Sequence, residues 1–145
     1  MTTPESKRQQ RNQCYQEEMQ DIYLNAIKCL RKGRNYRAGN ISIHFLSQEL
    51  GVDERKIHRA IKIAGEKSFT AIVNNMRLDD AKLRLSDPKW STYTIEEIGL
   101  SVGFVSRQSF HLVFHREIGC SPADYRRRHL LKICSPELEE LSRSD

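Results

Sequence analysis

Residues 95–128 read IEEIGLSVGFVSRQSFHLVFHREIGCSPADYRRR, and their spacing decides the fold. Thr94, with Glu97 three positions on, forms a capping box ahead of Ile95, Ile98 and Val102, which recur at helical intervals. Gly103-Phe104-Val105 is the turn that follows. Ser106 then caps a second helix that buries Phe110, Val113 and Phe114. Ser121-Pro122 offers a cap and a first-turn proline to a last helix running through Tyr125 toward Leu131. A helix, a glycine-containing turn and a capped second helix make a helix-turn-helix. In such a unit the second helix fits the major groove of DNA, and its outward side chains meet base edges. Here those are Arg107, Gln108, His111, Leu112 and His115.

Upstream, Ser86-Asp87-Pro88 ends a longer helix, because proline cannot continue the hydrogen-bond ladder. That helix runs from about Ser68 to Leu85. Its stripe of Phe69, Ile72, Val73, Met76, Ala81 and Leu85 can join an element on either side. Trp90, in the loop beyond, is read as core. Before the long helix the first pattern repeats. Ser42 caps a helix with Ile43, Leu46 and Leu50, Gly51-Val52-Asp53 breaks it, and Asp53 caps a helix burying Ile57, Ala60, Ile61 and Ala64. Arg55, Lys56, His58, Arg59 and Lys62 are left outward, a cationic face with one imidazole. Earlier still, Met19, Ile22, Tyr23, Ala26, Ile27 and Leu30 mark a helix from Tyr15 that closes at Arg31-Lys32-Gly33. Tyr15, Met19, Ile22 and Tyr23 are assigned to packing on the domain rather than to a dimer interface. The expected organisation is all-α, with about seven helices. A flexible basic arm (1–14) precedes an N-terminal helix and first helix-turn-helix (15–67). A linker helix (68–87), a second helix-turn-helix with the last helix (88–134) and an acidic tail (135–145) follow.

Composition bounds the function. The chain has 145 residues and a formal net charge of +5, with 38% hydrophobic and 30% charged residues, the profile of a globular domain. Residues 135–145 hold Glu137, Glu139, Glu140 and Asp145 against Arg143, so setting them aside turns 24 basic and 19 acidic side chains into 23 and 15. A basic body points to an anionic partner, nucleic acid first. Apolar runs are far shorter than the roughly 20 residues that span a bilayer, and Met1–Gln20 has no apolar core of a secretory signal. The expectation is a cytoplasmic, nucleoid-associated protein with no membrane contact. Cys14, Cys29, Cys120 and Cys134 are dispersed and read as reduced thiols. No phosphate-binding glycine loop, nucleophile elbow or metal-ligand pattern occurs. Asp79 and Asp80 are adjacent on a helix and diverge, a poor acid–base or metal pair. Neither enzyme activity, nor a cofactor, nor a metal is expected.

The 95–128 run also resembles the second helix-turn-helix of the AraC/XylS regulators. Ile98, Gly99, Val102, Gly103, Phe104, Ser106, Phe110, Phe114, Gly119, Ser121, Pro122, Tyr125 and Arg126 match that family's signature. MRLDDAKLRL, with Arg77, Leu78, Ala81 and Leu85, is similar to its linker helix, and LSQELGVDERKIHRAI to its first unit, so the resemblance covers roughly Ile41 to Arg128. It implies that Arg55, His58 and Arg59 read bases in one major groove of double-stranded DNA, and Arg107, Gln108 and His111 in the next. It assigns Lys62, Thr94, Ser106, His115, Arg126, Arg127 and Arg128 to the DNA backbone. It further implies a homeodomain-like fold, a monomer on an asymmetric site, and activation through RNA polymerase. The chain resembles the small stand-alone members. Departures from the pattern touch the target rather than the fold. Glu66 stands where glycine is usual, with Gly65 one place early; Ile61 replaces phenylalanine; Leu112 replaces a polar reader; His115 replaces lysine. Gly99 replaces alanine at an expected propensity cost of about 1 kcal/mol. A rival reading, favoured by the altered first unit and by Leu112, is an interaction adaptor that keeps the fold and has lost DNA reading.

Overall fold

A computed structural model of the chain describes residues 3–65 and 67–134, with side chains as far as Leu130. The acidic tail expected at 135–145 lies outside the described residues. Within them there are seven α-helices and no strand: α1 (Pro4–Arg31), α2 (Ile43–Leu50), α3 (Glu54–Ala60), α4 (Phe69–Leu85), α5 (Ile95–Ser101), α6 (Arg107–Ile118) and α7 (Pro122–Cys134). The all-α architecture with two helix-turn-helix units is as the sequence reads. The chain forms two compact units, one from the residues up to Tyr36 with Asn40–Val73, the other from Arg37–Gly39 with the chain from Asn74 on.

In the first unit α1 begins eleven residues earlier than its apolar periodicity suggests. The arm expected to be flexible over 1–14 is, from Pro4 on, its opening turns. The cause is local. The Thr3 side chain accepts a hydrogen bond from the Ser6 amide at 3.2 Å, Pro4 stands in the first turn, and Glu5 complements the helix dipole. Residues 7–18 are exposed, so periodicity could not reveal this part. From Met19 the helix packs on α2 and α3, burying Met19, Ile22, Ala26 and Leu30. Tyr23 lies against Gly65, where an added Cβ would come within 2.7 Å of its ring. Ser42 caps α2, Gly51 ends it in the left-handed region (φ +66), and Asp53 caps α3 through the Arg55 amide. Leu46, Ile57, Ala60 and Ile61 are buried. Beyond Ala60 the chain widens into a π-helical turn, Ile61–Gly65.

The second unit is built around aromatic rings. Leu78, Ala81 and Leu85 of α4 join Ile98, Val102, Phe104, Phe110, Val113 and Phe114 in one core, with Trp90 and Tyr125 packed against it. Phe104, Phe110, Phe114 and Tyr125 follow one another at centroid separations of 5.1, 5.7 and 5.5 Å, within the range of favourable aromatic pairs. Two charged side chains are buried here as well, Arg77 and Asp80. Arg77 donates to the Ala38 carbonyl at 2.9 Å, and burial lowers its pKa from the ordinary value. Asp80 binds the Arg37 Nε at 2.6 Å and lies 3.5 Å from the Arg84 Nε. The Arg84 guanidinium covers the Trp90 ring at 4.1 Å. Gly103 has φ +115, and a Cβ there would fall 2.7 Å from Arg77 Nε and 2.8 Å from the Arg37 carbonyl oxygen. The turn of this unit therefore requires glycine twice over, for conformation and for space.

Candidate nucleic-acid interface

α3 buries Ile57 and Ala60, and the π-helical turn after it buries Ile61, so the opposite face is fixed toward solvent. Arg55, His58, Arg59 and Lys62 are spaced i, i+3, i+4 and i+7, the interval that aligns side chains on one helical stripe. All four are exposed, and none has a side-chain hydrogen bond or ion pair among the described residues. The fifth outward cation differs. Lys56 binds Glu18 of α1 at 2.8 Å, and that hydrogen bond, with the carboxylate charge, raises its pKa from the ordinary value. The four side chains of the stripe line a cleft of about 810 Å³ together with the apolar Ile43, Ile61 and Phe69. Among the described residues no acidic side chain lines it, and Lys67, Ser68 and Thr70 do.

The corresponding helix of the second unit is α6. Ser106 accepts from the Ser109 amide at 3.1 Å, which fixes the first turn and the direction in which Arg107 and Gln108 leave it. Phe110, Val113 and Phe114 are buried, while Arg107, Gln108, Leu112 and His115 are exposed. Leu112 is 67% exposed, a large apolar side chain in the middle of a polar stripe. His111 departs from the expectation. It is half-buried, its ring meets Phe110 edge-on at 6.3 Å, and its Nε2 is buried with no hydrogen-bond partner among the described residues. The side chain sits at the border of the buried arc rather than on the outer face.

Residues expected at the DNA backbone separate into three kinds. Lys62, His115 and Arg128 are exposed and carry no partner among the described residues. Thr94 and Ser106 are exposed caps. The Thr94 hydroxyl oxygen accepts from the Glu97 amide at 3.0 Å, and Glu97 accepts from the Thr94 amide at 2.9 Å. Arg127 is ion-paired with Asp124 one turn before it on α7. Arg126 corrects the expectation outright. Its Nη2 donates to the Trp90 carbonyl at 2.6 Å and to the Tyr93 carbonyl, and its Nε is buried. Through Nη2 the guanidinium holds the loop that carries Trp90 and Tyr93. Sequence reasoning also missed the internal role of Asp80, Arg84 and Arg37. Its signal was available, since Arg77 lies four residues from both Val73 and Ala81, on the apolar stripe itself.

No group of three or more histidine, cysteine, aspartate or glutamate residues among the described residues can hold a metal ion. No described helix is long and apolar enough to cross a membrane.

A family model described as a helix-turn-helix domain matches residues 46–128, more than half of the chain. Among curated proteins, the chain is similar to an uncharacterized HTH-type transcriptional regulator, YdiP, of Escherichia coli K12. The two are 41% identical over 63 residues, covering 41% of this chain and 20% of the relative. The RCS-specific HTH-type transcriptional activator RclR of the same organism is 40% identical over 58 residues, covering 40% and 19%. The chain thus matches about a fifth of the length of each. Among solved structures, the C-terminal domain of AraT, a response regulator from Geobacillus stearothermophilus, superposes with a TM-score of 0.65 at 24% identity, over 74% of this chain and 84% of that one. A transcriptional regulator from Chromobacterium violaceum, described among AraC-type DNA-binding domain-containing proteins, gives 0.65 at 20% identity, over 76% and 93%. The family-model match shows that the chain is a member of the AraC/XylS family of helix-turn-helix proteins, and the solved structures share its fold.

Proposed function

We propose that the chain is a sequence-specific, double-stranded DNA-binding transcription regulator that uses α3 and α6 as recognition helices. The observation that carries this reading is the pair of capped helices, each with one face in a core and the other a polar stripe largely without protein partners. Side chains left free in this way can turn onto bases without an internal bond first being broken.

In this reading Arg55, His58 and Arg59 contact bases in one major groove and Arg107 and Gln108 in the next, about 10 base pairs away. Arginine takes guanine through two parallel hydrogen bonds, and glutamine takes adenine. His111 joins the second set only if its half-buried ring turns outward, so its contribution is the smaller. Leu112 supplies an apolar contact to a thymine methyl group. Lys62, His115 and Arg128 bind phosphates, and Ser106 and Thr94 present capped helix ends to the backbone. The protein binds an asymmetric site as a monomer in the cytoplasm, among nucleoid DNA. It activates by touching RNA polymerase, a reading supported by the name of RclR, a transcriptional activator.

The test uses duplexes carrying every single-base change of a bound site. Arg59→Ala should flatten the preference at one or two positions of one half-site, costing about 1–3 kcal/mol there. Arg107→Ala should do the same in the other half. Equal loss on all duplexes for both variants would remove base reading from these helices. Activation is checked by transcription with purified polymerase, where added protein should raise, not lower, transcript from a promoter bearing the site.

A further inference from the structure

The cleft of the first unit gathers basic groups that the fold does not use. Every residue lining it lies between Ile43 and Thr70, within that one unit. Arg55, Arg59, Lys62 and Lys67 bring four permanent cations to it, and His58 adds an imidazole. All five are exposed, and none has a side-chain hydrogen bond or ion pair among the described residues. Among the described residues no acidic side chain lines the cleft to offset them. A concave surface lined by one sign of charge focuses the field and concentrates the opposite charge.

The rest of the lining has a different character. Ile61 is buried, and Ile43 and Phe69 are half-buried, yet all three line the cleft. They come from three elements: the start of α2, the π-helical turn after α3 and the start of α4. The volume of about 810 Å³ lies within the roughly 300–1,000 Å³ of small-molecule sites, in which an apolar lining is paired with a few polar groups that orient the ligand. Inorganic phosphate would meet the cations and leave the apolar surface wet. A neutral apolar molecule would cover that surface and leave the charges without a counterion. A molecule with an apolar body and an anionic head satisfies both, and an arginine fork takes a carboxylate through two parallel hydrogen bonds.

We propose that this cleft binds a small amphiphilic anion, a carboxylate on an apolar body, and that the bound anion excludes DNA from the first recognition helix. The head group lies among Arg55, Arg59, Lys62 and Lys67, and the body against Ile43, Ile61 and Phe69. Exclusion follows from shared side chains, because Arg55, His58 and Arg59 cannot hold a carboxylate and base edges at once. That second part rests on the DNA-binding reading above; the binding site itself does not. The consequence is a DNA affinity set by the concentration of a small molecule, through competition at the first unit and without any change of shape.

The probe is 2-naphthoate, titrated calorimetrically into the full chain at fixed ionic strength, beside neutral 2-naphthylmethanol and inorganic phosphate. 2-Naphthoate should bind saturably at one site, and the other two much more weakly. Lys67→Ala should weaken 2-naphthoate by about two- to fivefold, the range for one exposed charge contact. Phe69→Ala should weaken it through loss of apolar contact, while Lys89→Ala, an exposed lysine of the second unit, should leave it unchanged. At about ten times its own Kd, 2-naphthoate should weaken binding to a selected duplex by up to about tenfold, and phosphate at equal ionic strength should not. No saturable 2-naphthoate binding, or equal binding of 2-naphthylmethanol or phosphate, overturns the site. So does 2-naphthoate binding that Lys67→Ala and Phe69→Ala both leave unchanged. Bound 2-naphthoate with undiminished duplex binding overturns the exclusion. A chain that binds 2-naphthoate and no duplex upholds the cleft and overturns the reading of α3 as a recognition helix.

Discussion

Gly99 is where two residue-scale energies oppose each other. In a helix interior glycine costs about 1 kcal/mol relative to alanine, so Gly99→Ala should stabilise if α5 stood alone. Its packing says otherwise. A Cβ at Gly99 would lie 2.5 Å from Phe110 Cδ1 and 3.1 Å from Phe110 Cβ, atoms near the root of a fully buried side chain that cannot swing aside. Overpacking of a filled core costs typically 1–3 kcal/mol. Gly99→Ala is therefore expected to lower stability in urea unfolding by about 1 kcal/mol, the net of the two terms. Arg126 makes the same point from the polar side. Its position within the Arg126–Arg128 run reads as one of three phosphate contacts, yet two loop carbonyls hold it. Arg126→Ala should destabilise the fold by about 1.5–3 kcal/mol, the range for hydrogen bonds from a charged donor, and leave the salt slope of DNA binding unchanged. A shallower slope at full stability would return Arg126 to the interface. Neither role is legible in the sequence, because each depends on what lies opposite across a long chain separation.

Among the elements, those with terminal signals were read well. Ser42, Asp53, Thr94, Ser106 and Ser121 each cap the helix expected of them, because an N-cap is a local contest between a side-chain oxygen and nearby backbone amides. Ser106→Ala should cost about 1 kcal/mol of stability. It should also weaken DNA binding, since the first turn of α6 carries Arg107 and Gln108. α4 was legible in its bounds and its apolar stripe, but not in its charges. Arg77 stands on the apolar stripe, but Asp80 and Arg84 look like a solvated face until the ion pairs of Asp80 with Arg37 and Arg84 are seen. Removing one partner of a buried ion pair leaves the other uncompensated, at a cost of about 3–5 kcal/mol. Asp80→Ala should therefore be more damaging than any surface change on α4, Asp79→Ala included, as thermal unfolding of the two variants will show. α1 is the element whose start was missed. Its first turns are helical through Thr3, Pro4 and Glu5, with no apolar residue to announce them.

For the whole molecule, the proposed function requires two recognition helices of different chemistry in one chain. Of the residues proposed to read bases, α3 carries Arg55, His58 and Arg59, and α6 carries Arg107, Gln108 and Leu112. In the proposed function the first set favours guanine-rich edges. The second mixes guanine, adenine and thymine contacts, so the two half-sites should differ in sequence. The most direct test is selection of bound duplexes from a random library, followed by titration of the selected site against a scrambled one at matched salt. A two-part, non-palindromic motif, with halves about 10 base pairs apart and a specific-to-scrambled affinity ratio of about 10³ or more, is the predicted result. No enriched motif, with equal, steeply salt-dependent binding to both duplexes, would contradict it and leave only a basic surface on a helix-turn-helix fold.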